Sequence, residues 1–100
     1  MRRVLKKKIY HNAWNEWGMD AQLTMVMEEC AELIQAVSKV IRTPMAARCG
    51  GTFKNVAEEI ADVEIMIEQM KHNLDWVILN ERVEEFKERK LLKLKERVGA

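Results

Sequence analysis

The octets VMEECAEL at Val26–Leu33 and VAEEIADV at Val56–Val63 are two versions of one phrase. Each runs valine, any residue, two glutamates, any residue, alanine, an acid, then leucine or valine, and the second begins 30 positions after the first. Both sit in apolar surroundings. Leu23, Val26, Met27, Cys30, Ile34, Val37 and Ile41 form one stripe at helical spacing, and Val56, Ile60, Val63, Ile67 and Met70 form another. With Cys30 and Ile60 as the stripe centres, a turn of about 100° per residue carries Glu29 and Glu32 to one side of the first stripe. Glu59 and Asp62 fall at the same offset from the second. Their neighbours on that side are Met25 and Ala36 on one helix, Asn55 and Met66 on the other. The acids therefore punctuate a second, partly apolar stripe, as expected of a helix that meets two partners in a bundle.

Folding the two helices back on each other about residues 43–52 predicts an antiparallel hairpin. Glu32, about ten residues before the turn, becomes level with Asp62, about ten after it. Glu29 and Glu59 then stand about one turn away in opposite directions, roughly 4.5 Å each. Four carboxylates gathered on such a patch repel one another and resist desolvation. A hard divalent cation is the simplest neutraliser, and all-oxygen ligation suits Mg²⁺, with Mn²⁺ as a substitute. Di-iron bundles place Glu-x-x-His on two helices, whereas here the i+3 positions are Glu32 and Asp62. A lone Glu-x-x-Glu ordinarily marks a solvated face; the repetition in register, with apolar flanks, is what singles this pair out. Glu28 and Glu58 point further around, as outer neighbours or plain surface charge.

The rest of the chain extends the helical reading. Helices are expected at about 2–17, 20–42, 53–73 and 75–97. Gly18 ends the first, Asp20 caps the second, Thr52 caps the third, and "HNLD" forms the last junction. The expected fold is all-α: about four helices around a central antiparallel hairpin, one domain over 1–100. A chain of 100 residues with 48% hydrophobic residues has more apolar surface than so small a core hides, so oligomerisation should complete the bundle. No run approaches the roughly 18 apolar residues of a membrane span, and no apolar stretch follows the basic start MRRVLKKKIY. A cytoplasmic protein is expected, with no membrane partner. A net charge of +1 gives no footprint for a nucleic acid polymer, and Cys30 and Cys49 have no short metal-pair spacing.

EECAE at Glu28–Glu32, then 26 residues, then EIAD at Glu59–Asp62 resembles the Glu-Glu-x-x-Glu and Glu-x-x-Asp signature of the MazG-like nucleotide pyrophosphohydrolases, in the all-α NTP pyrophosphatase superfamily. The resemblance runs from about Gln22 to Arg97, and KLLKLKER near the end looks like the basic last helix of short members. It implies cleavage of a nucleoside triphosphate between its α- and β-phosphates, giving a monophosphate and pyrophosphate. It implies Glu29, Glu32, Glu59 and Asp62 as Mg²⁺ ligands and catalytic carboxylates. The ion would bridge phosphate oxygens and acidify a water for in-line attack. Larger members have two similar halves; a chain this short implies a homodimer or homotetramer.

A triphosphate with about four negative charges also requires cations. Lys90, Lys93 and Arg97 share a helix face at i, i+3, i+7 and are the expected phosphate clamps, with Lys87 nearby. The resemblance favours Lys90 and Lys93; lysines and arginines at a helix C-terminus also simply complement its dipole. Trp14 and Trp17, with Tyr10 one turn earlier, are candidates for a wall against the base, although an aromatic stripe of this spacing is also ordinary core. Gln22 and Asn55 are candidates for hydrogen bonds to base or sugar. His11 and His72 fit no ligand spacing and are expected at the surface. Two other classes explain the same residues: a non-catalytic assembly module whose acids pair with the lysine-rich ends, and a carboxylate metal sensor without turnover.

Overall fold

A computed structural model describes residues 1–100. The chain is all-helical: α1 spans Arg3–Trp17, α2 Met19–Arg42 and α3 Gly51–Val98, with a short 3₁₀ turn at Met45–Ala47 and no strand. No helix is long and apolar enough to cross a membrane.

Gly18 both ends α1 and starts α2. Its φ of 84° is open to glycine and strained for other residues, and its N–H donates to the Trp14 carbonyl at 2.8 Å. Because α2 begins at once, Asp20 lies in its first turn rather than at the cap, where its charge complements the positive end of the helix. Thr52 likewise falls inside α3, which starts at Gly51 after Gly50 at φ 60°. The connection between α2 and α3 is tied down by Arg48. Its guanidinium donates to the carbonyls of Ile41 (2.9 Å) and Thr43 (2.8 Å), satisfying acceptors that the end of α2 leaves free.

The HNLD junction is a kink within α3 rather than a loop. Asp75 alone leaves helical geometry (φ −170°, ψ 98°), and its Oδ1 accepts the Ile78 N–H at 3.1 Å. That is the N-cap bond of a new helix, so Asp75 redirects the chain without interrupting it. The expected third and fourth helices are thus the two limbs of α3. From Glu84 onward every residue of the second limb is exposed.

The main contact is between α2 and the first limb of α3, with α1 against both. The buried side chains are few: Tyr10, Ala36 and Val63, with Gln22 and Gln69. The two glutamines are joined by one hydrogen bond, the Gln69 amide donating to the Gln22 carbonyl oxygen. This contact marks the hairpin register. Counting two turns from it in opposite directions along the antiparallel pair brings Glu29 opposite Asp62. One turn further, Glu32 comes opposite Glu59. The sequence expectation placed Glu32 level with Asp62; the observed register differs by about one turn.

The face that closes the hairpin is the acid-bearing one. Ala36, 3% exposed, lets the backbones approach there. The apolar stripes expected to point inward are only partly covered on the single chain: Val63 is buried and Leu23, Val26, Cys30, Val56 and Met70 are half-buried, whereas Met27, Ile34 and Ile41 are 71, 68 and 69% exposed, and Ile60 and Ile67 are also exposed.

Candidate metal centre

Glu29 and Glu32 stand one turn apart on α2, and Glu59 and Asp62 one turn apart on α3. One oxygen from each can be chosen so that all four lie within 4.8 Å of one another. An octahedral ion with bonds of 2.0–2.1 Å spans about 4.2 Å between opposite ligands. Neighbouring ligands of such an ion stand about 2.9 Å apart, so the four side chains would draw inward to close on Mg²⁺ or Mn²⁺. Glu29 and Glu59 are half-buried, Glu32 and Asp62 exposed, so the cluster has a dry side and a wet side.

The dry side is unsatisfied. Glu29 Oε2 and Glu59 Oε2 are both hidden from solvent and neither has a hydrogen-bond partner. Orphaned buried oxygens of this kind are rare and call for an explanation. Burial, followed by the neighbouring negative charges of Glu32 and Asp62, pushes the carboxyl groups of both Glu29 and Glu59 above the usual glutamate range. No lysine or arginine relieves them: the three ion pairs of the chain are His72–Glu68, Arg82–Glu85 and Lys87–Glu84. An acid-only, oxygen-only donor set with orphaned inner atoms suits a hard divalent cation.

Two cavities lie along α2, and the first is bordered by two carboxylates of the cluster. Toward the 43–50 connection lies a polar one of about 460 Å³, bordered by Glu32, Gln35, Lys39, Arg42, Asn55 and Glu59. Toward the start of α2 lies one of about 540 Å³, bordered by Trp17, Ala21, Gln22, Thr24, Met25 and Glu28.

The other residues singled out from the sequence are dispersed. Asn55 borders the polar cavity beside Glu59. Trp17 is 63% exposed and borders the second cavity. Trp14 is half-buried and lines neither. Gln22 borders the second cavity, but its carbonyl oxygen is already engaged by Gln69. Lys90, Lys93 and Arg97 are exposed on the second limb of α3 and line neither cavity.

Sequence reasoning had not singled out Lys39 and Arg42. The signal was present: Glu32, Gln35, Lys39 and Arg42 recur at i, i+3, i+7 and i+10, which keeps them on one side of a helix.

His72, read from sequence as a surface residue, is half-buried between Tyr10 (ring centroids 5.5 Å apart) and Trp76 (4.2 Å, stacked). The Asn73 amide donates to the Tyr10 carbonyl at 3.0 Å, so this group joins α1 to the kink of α3. It is remote in sequence from the carboxylates, and its aromatic contacts give it a structural role.

Comparison with protein-family models, curated proteins and solved structures finds no match to this chain.

Proposed function

We propose that this chain is a Mg²⁺-dependent nucleoside triphosphate pyrophosphohydrolase, cutting its substrate between the α- and β-phosphates to release a monophosphate and pyrophosphate. The observation that carries the reading is the pair of orphaned inner oxygens, Glu29 Oε2 and Glu59 Oε2, within a four-carboxylate cluster that has no protein counter-charge. Glu29, Glu32, Glu59 and Asp62 hold the cation. When bound, the cation supplies positive charge for phosphate oxygens and makes a water nucleophilic near neutral pH. The carboxylates on the wet side, Glu32 and Asp62, orient that water, and the half-buried pair keeps the opposite side dry. MazG-like enzymes, whose signature the two motifs resemble, carry out this reaction. The polar cavity bordered by Glu32 and Glu59 leaves space for substrate beside the carboxylates.

The working form is a homo-oligomer, a dimer or a pair of dimers. Its support is the open stripe of Met27, Ile34, Val37 and Ile41, an apolar band along α2 that a second copy would cover. Two free cysteines, Cys30 and Cys49, support a reducing, cytoplasmic setting.

Pyrophosphate release from a side-by-side panel of ribo-, deoxy- and modified nucleoside triphosphates tests the activity. Product is expected with Mg²⁺ and not with EDTA. No product from any triphosphate, with Mg²⁺ still bound, would hand the site to a metal sensor; neither product nor binding would favour an assembly module.

A further inference from the structure

The polar cavity beside the carboxylates has a composition that the metal alone does not explain. Of the residues around it only Ala36 is apolar. Lys39 and Arg42 border the same space as Glu32 and Glu59, yet neither forms an ion pair with them. Arg42 makes only a long bond, 3.4 Å, from Nε to the Ser38 carbonyl. Both residues also stand near the C-terminus of α2, where positive charge complements the helix dipole. That role is already served by Arg48, whose guanidinium occupies the Ile41 and Thr43 carbonyls. Two uncommitted cations thus face a cavity whose other end is lined with acids.

We propose that this cavity is a polyphosphate subsite. It rests on the nucleotide reading given above and adds to it which side chains take the phosphates and which way the ligand lies. From Glu32, Lys39 is two turns and Arg42 nearly three turns along α2, about 10 and 15 Å by helical rise. A phosphate chain starting at the metal therefore runs parallel to α2 toward the 43–50 connection. Lys39 meets it as a point charge, and the Arg42 fork meets its end with paired donors. The Asn55 amide, reaching in from α3, donates to an oxygen between them. Glu32 and Glu59 repel the same anion, so binding at Lys39 and Arg42 requires the divalent cation. The nucleoside is left to the opposite end, where exposed Trp17 and Met25 border the second cavity. The phosphate clamp then comes from α2 itself and not from Lys90, Lys93 and Arg97 on the second limb of α3.

The test uses inorganic tripolyphosphate, titrated calorimetrically into the purified chain with and without Mg²⁺. Wild-type protein should bind it with Mg²⁺ and much more weakly with EDTA. The Lys39→Ala/Arg42→Ala variant should bind it on the order of tenfold to a hundredfold more weakly, the effect of losing charge-assisted contacts. Lys90→Ala/Lys93→Ala should bind as wild type. Circular dichroism melts check that each variant folds, and the single changes Lys39→Gln and Arg42→Gln, which keep most of the stem, serve if the double change does not. No Mg²⁺-dependent binding by wild type, unchanged binding by the Lys39/Arg42 variants, or loss only in the Lys90/Lys93 variant would each overturn the subsite. Failure of the enzymatic reading has a different signature: no turnover of any nucleotide while tripolyphosphate binding remains intact and dependent on Lys39 and Arg42.

Discussion

Replacing Glu59 with glutamine should move the stability of the chain in opposite directions with and without metal. The four clustered carboxylates make six like-charge pairs, and neutralising one leaves three. The change preserves shape and supplies an amide that can donate to a neighbouring carboxylate. It also removes one of the two buried oxygens without a partner. Metal-free Glu59→Gln should therefore melt above metal-free wild type. With Mg²⁺ the order reverses. A cation present at a hundred times its dissociation constant stabilises the folded chain by about 2.7 kcal/mol. For a domain of this size that corresponds to a rise in melting temperature of roughly 10–20 °C. The variant, missing a ligand, should lose most of that rise and all nucleotide turnover while keeping its oligomeric state. Thermal melts followed by circular dichroism in EDTA and in a Mg²⁺ series measure both effects. A metal-free variant less stable than wild type, or one keeping the full Mg²⁺ shift, would refute the view of these carboxylates as a strained, cation-seeking cluster.

The raised carboxyl groups of Glu29 and Glu59 give the same cluster a pH signature. A group with a raised folded-state pKa contributes stability below its unfolded value, here the ordinary 4.5, and loses it as pH rises through the folded value. Mg²⁺ affinity, which needs the ionised forms, should rise over that same interval above 4.5 in calorimetric titrations. His72 acts in the other sense. Burial holds its pKa below 6.5 against the opposing pull of Glu68, so its stability contribution is present above 6.5 and lost as pH falls through the lowered value. An NMR titration of the imidazole should place its midpoint under 6.5. Gln69→Leu should cost about 1–3 kcal/mol in urea unfolding by stranding the buried Gln22 amide, whereas Gln22→Leu/Gln69→Leu should recover much of the loss. Ile34→Glu lies on a position 68% exposed in the single chain and should leave the fold intact. Light scattering should show that it dissociates the proposed homo-oligomer.

The helical class was legible because the signals for it are local. The 3.6-residue period of the two stripes, Gly18 at a positive φ and the scarcity of other breakers act within a few residues of chain. The four carboxylates could be paired for a related reason: an identical angular offset on two consecutive helices survives any antiparallel folding that joins them. Their level could not be set as well. It depends on how the 43–50 connection folds and on which side chains meet across the hairpin, and the Gln22–Gln69 contact goes with Glu32 opposite Glu59.

Which face of each helix turns inward depended on the whole chain. Met27, Ile34 and Ile41 are more apolar than the stripe carrying Glu29 and Glu32, and hydropathy alone sends them to the core. One hairpin with one flanking helix has too few surfaces to cover both faces, and Ala36 permits the close approach that selects the acidic one. Lys39 and Arg42 read as an ordinary basic helix end until α3 brings Asn55 and Glu59 across from them. Sequence thus determined the helices and the residues able to hold a cation, because turn, period and charge are written residue by residue. Tertiary structure decided the register, the open face and the cavity beside the acids, because each depends on the distance between segments that meet only when the chain folds.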